Sequence, residues 1–442
     1  MSYLPNGAAE QATMLEAIGL SSLEELFAQV PTGLRRRAEL PEPLSELELV
    51  QYFRELGRLN QRVDAADSYL GAGAYQRFSP AIVNAVISRP EFYTTYTPYQ
   101  AEASQGVLQA TYEFQSMVAL LTGLDVANAS MYDGASALAE AAMMAVVHTG
   151  RHNVVVAGAL HPEYAQVLRT YSAGRDYEVL RVPQGSDGRV DPQRLRAAVT
   201  ETTAAVIVQQ PNFFGVLEEP GLAGELAHKS GALLIACVEP ISLGVLAAPG
   251  DYGADIAVGD GQPLGIPLAF GGPHVGFLAC REALMRRLPG RLVGATRDER
   301  GRRGFVLTLQ AREQHIRREH ATSNICTNHA LMALAATVYL ARMGGDGLAR
   351  LAELCAQRAH ALAEAATARP GYRLAFEAPF LWEFALRTPR SADEVRAHML
   401  ERGVLPGLPL GRVDQALDDV LLVAVTELND GAALRRFVEA LP

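Results

Sequence analysis

Two short segments are crowded with side chains that hold and orient small polar ligands. Residues 93–106 read Tyr-Thr-Thr-Tyr-Thr-Pro-Tyr-Gln-Ala-Glu-Ala-Ser-Gln-Gly. The phenols of Tyr96 and Tyr99, the hydroxyls of Thr97 and Ser104 and the amides of Gln100 and Gln105 stand just before a helical pattern, and Pro98 stiffens the loop. Phenol hydroxyls on a stiff loop make good ligand contacts, although a surface turn with partly buried tyrosines uses the same residues. Residues 321–328, Ala-Thr-Ser-Asn-Ile-Cys-Thr-Asn, open a second helical pattern. One or two of Thr322, Ser323 and Asn324 suffice to cap a helix, so the surplus points to a further role. Both segments carry short donors suited to a phosphate or a carboxylate.

A third stretch, 258–274, reads Val-Gly-Asp-Gly-Gln-Pro-Leu-Gly-Ile-Pro-Leu-Ala-Phe-Gly-Gly-Pro-His. It has the layout of a loop that anchors pyridoxal phosphate (PLP) as a Schiff base on a lysine. Gln262 stands where that lysine belongs, and an amide nitrogen is not nucleophilic. The whole chain holds one lysine, Lys229, against 38 arginines. Lys229 falls near the C-terminal end of a helical stretch, where its charge suits the helix dipole. Either a partner supplies the lysine or the chain does not serve PLP chemistry. Gly134-Ala-Ser136 is a small-residue turn opening a helix; its bare N–H groups suit a phosphate, and Ser136 equally suits an N-cap. His161-Pro-Glu-Tyr164 starts a helix after a strand, and there the histidine either lines a cleft or caps the helix. No metal-ligand spacing, Walker loop or Gly-x-Ser-x-Gly elbow is present in the sequence.

The elements that position these groups are legible in outline. Residues 1–65 read as a helical arm without a core of its own, with amphipathic stretches at 7–19, 21–30 and 46–59, the second opening on a serine cap. Such an arm is expected to pack on the body or on a partner. From 66 to 325, short apolar strands alternate with helices: strands near 154–159, 178–182, 204–210, 232–237, 256–258 and 275–279, and helices near 162–172, 191–200 and 220–229. Continuous apolar strands separated by helices predict a mainly parallel sheet covered on both faces. A helix at 328–343 leads into a small α+β unit, 326–442. Its strands are expected at 374–376, 381–387 and 420–425, and its helices at 392–402 and 430–441.

Bulk properties exclude several classes. At 442 residues and 47.5 kDa the chain is too long for one ordinary core. A net charge of −10 argues against a nucleic-acid partner. The basic runs 35–37 and 297–303 read as solvated surface. No stretch approaches the roughly 20 apolar residues of a membrane span, and the first residues lack a signal-peptide layout. The four cysteines, Cys237, Cys280, Cys326 and Cys355, read as buried thiols in a reducing cytoplasm.

These motifs together resemble one family. Tyr96-Thr-Pro-Tyr-Gln-x-Glu-x-Ser-Gln-Gly106, the run 121–130, Gln314-His-Ile-Arg-Arg318 and Ala321-Thr-Ser-Asn-Ile-Cys-Thr327 are similar to the P-protein of the glycine cleavage system, over nearly the whole chain. That family occurs as one double-length chain or as two homologous subunits, each resembling a type I PLP-dependent transferase, with the lysine in the second half. The resemblance implies that this chain is the first, alpha-type half. It further implies that Gln262 and Cys237 are degenerate cofactor positions, Cys237 standing where an acid should face the pyridine nitrogen. PLP would then be held by a homologous beta subunit, in an α2β2 assembly. That assembly would decarboxylate glycine and pass the aminomethyl group to the lipoyl arm of the H-protein. By the same resemblance Tyr96, Thr97, Tyr99, Gln100, Ser104, Gln105, Thr322, Ser323 and Asn324 would reach into the partner's site. A non-catalytic scaffold and a lysine-free PLP enzyme are the alternatives; Gln262 rather than histidine in the register argues against the latter.

Overall fold

The structure, a computed structural model, describes residues 6–36, 39–60 and 66–442. Contacts divide the chain into two units, Met1–Gln61 and Arg62–Pro442. In the first, α1 (Ala8–Ala17) and α2 (Glu46–Arg58) bury no residue, as expected of an arm without a core. Ser45 and Glu48 close α2 with a capping box, Ser45 N–H donating to the carboxylate at 2.8 Å. The helix expected at 21–30 is only a 3₁₀ stretch, Leu23–Phe27: Ser21 is tied to Glu25 and Pro31 stops continuation. Of the basic run at 35–37, Arg35 and Arg36 are exposed and Arg37 lies outside the described residues.

The second unit begins with β1 (Asp67–Ser68), α3 (Ala81–Ile87), α4 (Pro90–Tyr93) and α5 (Gln105–Thr122). β2 (Val126–Ala127) and α6 (Gly134–Thr149) follow. Then come β3 (Asn153–Ala157), α7 (Pro162–Ala173), β4 (Glu178–Val182), α8 (Pro192–Ala198), β5 (Thr203–Gln210) and α9 (Pro220–Ser230). β6 (Leu233–Val238), β7 (Ile256–Asp260) and β8 (Gly276–Cys280) complete a seven-stranded sheet of order β2-β8-β7-β6-β5-β3-β4. The strands from β7 to β4 are mutually parallel, and β8 runs antiparallel to both neighbours. β9 (Leu292–Arg297) and β10 (Arg303–Thr308) form an antiparallel hairpin, with Arg297 opposite Arg303. The basic run 297–303 is exposed throughout, as expected of solvated surface, and forms the end and turn of this hairpin.

After α10 (Gln314–Arg317), α11 (Ala330–Thr367) extends far beyond the expected 328–343. It bends where Gly344 adopts φ 62°, a kink between two helical stretches just past the expected end. β11 (Arg373–Leu374), β12 (Glu383–Arg387), α12 (Ala392–Leu400), β13 (Val404–Leu405), β14 (Leu408–Pro409), β15 (Val420–Ala424) and α13 (Gly431–Ala440) form the C-terminal α+β portion. Its sheet, β11-β12-β15-β14, is antiparallel, and β1 pairs in parallel with β13.

The period of two along the buried strands feeds two cores. Val155, Val206, Val208, Leu234 and Ala257 face one layer with Phe114, Ala227 and Ala336. Val154, Val156, Ile207, Ile235 and Ile256 face the other with Met143, Met144 and Leu168. Cys237, Cys280 and Cys355 are buried as expected, but Cys326 is exposed, because 321–328 is irregular and turns it outward. No helix among the described residues is long and apolar enough to cross a membrane.

Candidate functional site

A cleft opens at the C-terminal ends of the parallel strands, the usual ligand position in open α/β sheets. Its walls include Tyr75, His161, Tyr164, Asn212, Cys237, Glu239, Asp260 and Glu383. Gln262 follows β7 and is only 1% exposed. Its Oε1 accepts from Tyr75 N–H at 2.9 Å, and its Nε2 donates to the carbonyls of Tyr75 at 3.0 Å and Ile266 at 2.8 Å. The amide thus staples two backbone segments. Lysine, which only donates, could not replace the accepting bond.

The opening turn of α6 is equally committed. Asp133, not Ser136, is the N-cap: its carboxylate accepts from Ser136 N–H at 2.7 Å, and Ser136 closes a capping box. Ser136 sits at the third helical position, so the serine that reads as a cap completes one set by the preceding acid. Gly134 N–H donates to Asp260 Oδ2 at 3.1 Å, and a Cβ on Gly134 would lie 2.2 Å from the Tyr164 hydroxyl oxygen. Two carboxylates therefore occupy the positive helix end that a phosphate would use. His274 Nδ1 lies 3.7 Å from Asp260 Oδ2, and this neighbouring carboxylate raises its pKa.

His161 does both things its position suggested: it lines the cleft and caps α7. Its Nδ1 accepts from Glu163 N–H at 3.2 Å, while Nε2 meets the Ala72 carbonyl at 2.8 Å, which assigns the neutral Nε2–H tautomer. Burial lowers its pKa and keeps it neutral. Burial, helped by Asp260, pushes the Cys237 thiol up to about 12. Burial also raises Glu239 and Glu383 to about 7. Glu239 Oε1 has only Arg77 Nη2 near it, at 3.9 Å, whereas Glu383 accepts from Ala72 N–H at 2.6 Å and Tyr75 O–H at 2.8 Å. A Schiff-base cofactor does not fit this cleft: no lysine lines it, carboxylates already take the N–H groups at the start of α6, and burial holds the Cys237 thiol neutral. Lys229 is exposed on α9 and paired with Glu225. Among the described residues no cluster of metal ligands forms.

The two donor-rich segments lie elsewhere. Tyr96 and Thr97 line a concavity with Pro98, Arg291, Asn328 and Leu331. Thr97 is 8% exposed and accepts from Arg291, whereas Tyr96 and Tyr99 are 69% and 79% exposed, their rings 6.4 Å apart. Gln100 is exposed, and Ser104 is the N-cap of α5 without a side-chain capping bond. Gln105 is held inward: it donates to the carbonyls of Ala101 at 2.7 Å and Phe305 at 2.8 Å, and accepts from Phe305 N–H at 2.8 Å. Thr322 and Ser323 line a separate concavity with Arg286, Arg287, Arg312 and Glu313, and Asn324 is exposed. None of the three caps a helix, since α11 starts only at Ala330, after His329. Asn328 instead donates to Ser130 Oγ at 2.7 Å, and Ser323 accepts from Ile325 N–H at 3.0 Å. The arginines that join these donors were not singled out in the sequence. The available signal was eleven arginines against five acids in 281–320, within a chain of net charge −10.

Comparison with known proteins follows this geometry. Residues 1–441 match the family profile of the glycine cleavage system P-protein. A "probable glycine dehydrogenase (decarboxylating) subunit 1" of Desulfitobacterium hafniense is 52% identical over 443 residues, covering 100% of this chain and 99% of the relative. The same-named protein of Moorella thermoacetica is 50% identical at the same coverage. The fold superposes with a TM-score of 0.92 and 46% identity on a crystal structure of inhibitor-bound glycine decarboxylase (P-protein), covering 100% of this chain and 99% of that one. A sphingosine-1-phosphate lyase of Burkholderia pseudomallei (15% identity, TM-score 0.65, 94% of this chain and 93% of that one) shares the fold alone.

Proposed function

The chain belongs to the glycine cleavage system P-protein family, and from that premise we propose that it is the subunit of glycine dehydrogenase (decarboxylating) that anchors no cofactor itself. It pairs with a homologous beta chain that holds PLP on a lysine, in an α2β2 assembly in the cytoplasm. The pair decarboxylates glycine, releases CO2 and passes the aminomethyl group to the lipoyl arm of the H-protein. When bound to the partner, PLP supplies the electron sink for the carbon that loses CO2.

The observation that carries this reading is Gln262. Its amide stands in the lysine register, buried and bonded to three backbone groups, so this chain has turned its own anchor position into a structural staple. The residues offered to the partner's site are Tyr96, Thr97, Tyr99, Gln100, Ser104, Thr322, Ser323 and Asn324, which orient ligand rather than react. Gln105 serves the same site indirectly, by pinning the 97–104 loop to β10. A pure scaffold would not need the exposed ones among them, Tyr96, Tyr99, Gln100 and Asn324.

The test is to express the chain alone and together with the beta chain. Alone it should show no aldimine absorbance, and borohydride reduction should leave no pyridoxyl adduct on Lys229. Together the chains should co-migrate in sizing chromatography at micromolar concentration and catalyse glycine–CO2 exchange. A stoichiometric adduct on this chain, or separate migration, overturns the reading.

A further inference from the structure

We infer that Phe270 is an anchor by which this chain docks on its homologous beta partner, the ring entering the partner's counterpart of the apolar concavity beside Pro98. The inference rests on the pairing proposed above and names one contact that holds it together. Phe270 is 106% exposed, more than any other large apolar side chain among the described residues. An aromatic ring removes a large apolar area from water when it docks, and rings of this kind dominate interface energetics.

The loop holds the ring out at a conformational cost. Ala269 and Phe270 have φ 42° and 58°, the only two consecutive non-glycine residues with positive φ among the described residues. Gly271 and Gly272 follow with φ 104° and 136°. Glycine takes such values freely, whereas a residue with a Cβ is strained by them. Gly271 N–H donates to the Leu268 carbonyl at 3.0 Å and closes the turn. Strain in two successive residues, with the ring wholly in solvent, points to a role outside the chain.

A hole lies close to the knob. The concavity lined by Phe92, Pro98, Val107, Leu331 and Leu334 has about 640 Å3 of empty space, open to solvent, and admits an aromatic side chain. Ala330 belongs to the same lining. It follows His329, whose Nδ1 donates to the His274 carbonyl at 2.6 Å, at the foot of the Phe270 loop. Knob and hole thus stand on adjoining stretches of surface. A two-fold contact needs that arrangement, since one face must offer both halves. A homologous chain of the same fold presents both counterparts. Arg291 also lines the concavity, and a guanidinium there suits the face of an entering ring.

Phe270→Trp tests the contact by fluorescence, because the chain's one native tryptophan, Trp382, is 2% exposed. The full-length variant is titrated with acrylamide, alone and with the beta chain. Strong quenching of the new tryptophan is expected alone, and its loss, with a blue shift, in the complex. Phe270→Ala should weaken pairing at least ~10-fold in sedimentation equilibrium. It should leave the thermal midpoint of the chain alone unchanged, since the ring is in solvent there. Wild-type pairing with position 270 still quenchable, or with Phe270→Ala pairing as tightly, overturns the inference. Protection that grows with concentration of this chain alone names a second copy as the occupant and overturns it too. Glycine–CO2 exchange in the same samples separates the two claims. Protection and pairing without exchange remove only the proposed activity, and exchange without protection removes only the anchor. Chains that never pair overturn both.

Discussion

The cleft at the end of the sheet and the basic concavity beside Ser323 are built on opposite terms. In the cleft nearly every polar group is bonded within the chain: Gln262 to three backbone groups, Asp260 to the N–H groups of Gly134 and Gln262, Glu383 to Ala72 and Tyr75. Carboxyls dominate it, and Asp260 occupies the helix end where a phosphate would sit. In the concavity a guanidinium edge has no acceptor, and in the outer segments Tyr96, Tyr99 and Asn324 are exposed. A closed polar network fixes one conformation and leaves little for a ligand to gain. An open one gains from whatever completes it. The contrast teaches that polar groups closed on one another serve the fold, whereas groups left open are those that a ligand or a neighbour can complete.

If so, changes in the cleft should cost stability, and changes in the outer segments should cost binding. The largest loss is expected from Gly215→Ala. Gly215 has φ 80°, and an added Cβ would lie 1.9 Å from the Glu383 carbonyl oxygen, a backbone atom that cannot swing aside. Urea unfolding should show a loss of about 3 kcal/mol or more; an unchanged midpoint would break the picture of a rigid cleft.

Gln262→Ala comes next. It strands one buried N–H and two buried carbonyls, and the expected cost is about 2–3 kcal/mol by the same measurement. Gln262→Lys should not create an aldimine band in the chain alone, because Asp260 still holds the helix end and Cys237 still lacks a charge. An aldimine band would mean that the cleft had lost only its lysine.

The third expectation is a pH dependence. Glu140, Glu239 and Glu383 all have pKa values raised by burial, from the usual 4.5 to about 7. A carboxyl raised in the folded state binds its proton more tightly there than when unfolded. The stabilisation is complete below pH 4.5 and is lost as pH rises through about 7. Between pH 5 and 8 each of these groups should lower stability by about 2 kcal/mol. Glu239→Gln should flatten the profile in thermal melts at matched ionic strength; a profile rising over that range would contradict the assignment.

The smallest effect on stability should come from the outer segments. Tyr96→Phe and Asn324→Ala should each change unfolding free energy by less than about 0.5 kcal/mol. In the assembled complex each should weaken glycine or cofactor binding by about 1 kcal/mol, the loss of one hydrogen bond. Equilibrium titration of purified variant complexes checks this. Unchanged affinities in both would leave only a scaffold role for these segments.

Much of this was legible in the residues. The parallel sheet followed from apolar strands alternating with helices, because strands buried on both faces must be continuously apolar. The missing lysine, the glutamine in its register and the surplus of donors at 93–106 and 321–328 are matters of residue type, which no folding alters. What the sequence left open concerned side chains with two possible uses. His161 both caps and lines, Asp133 rather than Ser136 begins α6, Gln105 turns inward to β10, and Gly344 bends a helix instead of ending it. Each outcome depends on a partner remote in the chain or on the local backbone path, neither of which spacing encodes. The hairpin at 292–308 was hidden because Leu-Val-Gly-Ala-Thr and Gly-Phe-Val-Leu-Thr show no regular alternation of apolar and polar residues. Composition and order thus determined that the chain has a single lysine, Lys229, outside the 258–274 stretch. Only the tertiary structure decided that Gln262 became a staple, with Tyr75, 187 positions away, on its other side. It alone also brought Arg286, Arg312 and Ser323 to one concavity, because hydrogen-bond partners and charge neighbours are set by packing across the fold.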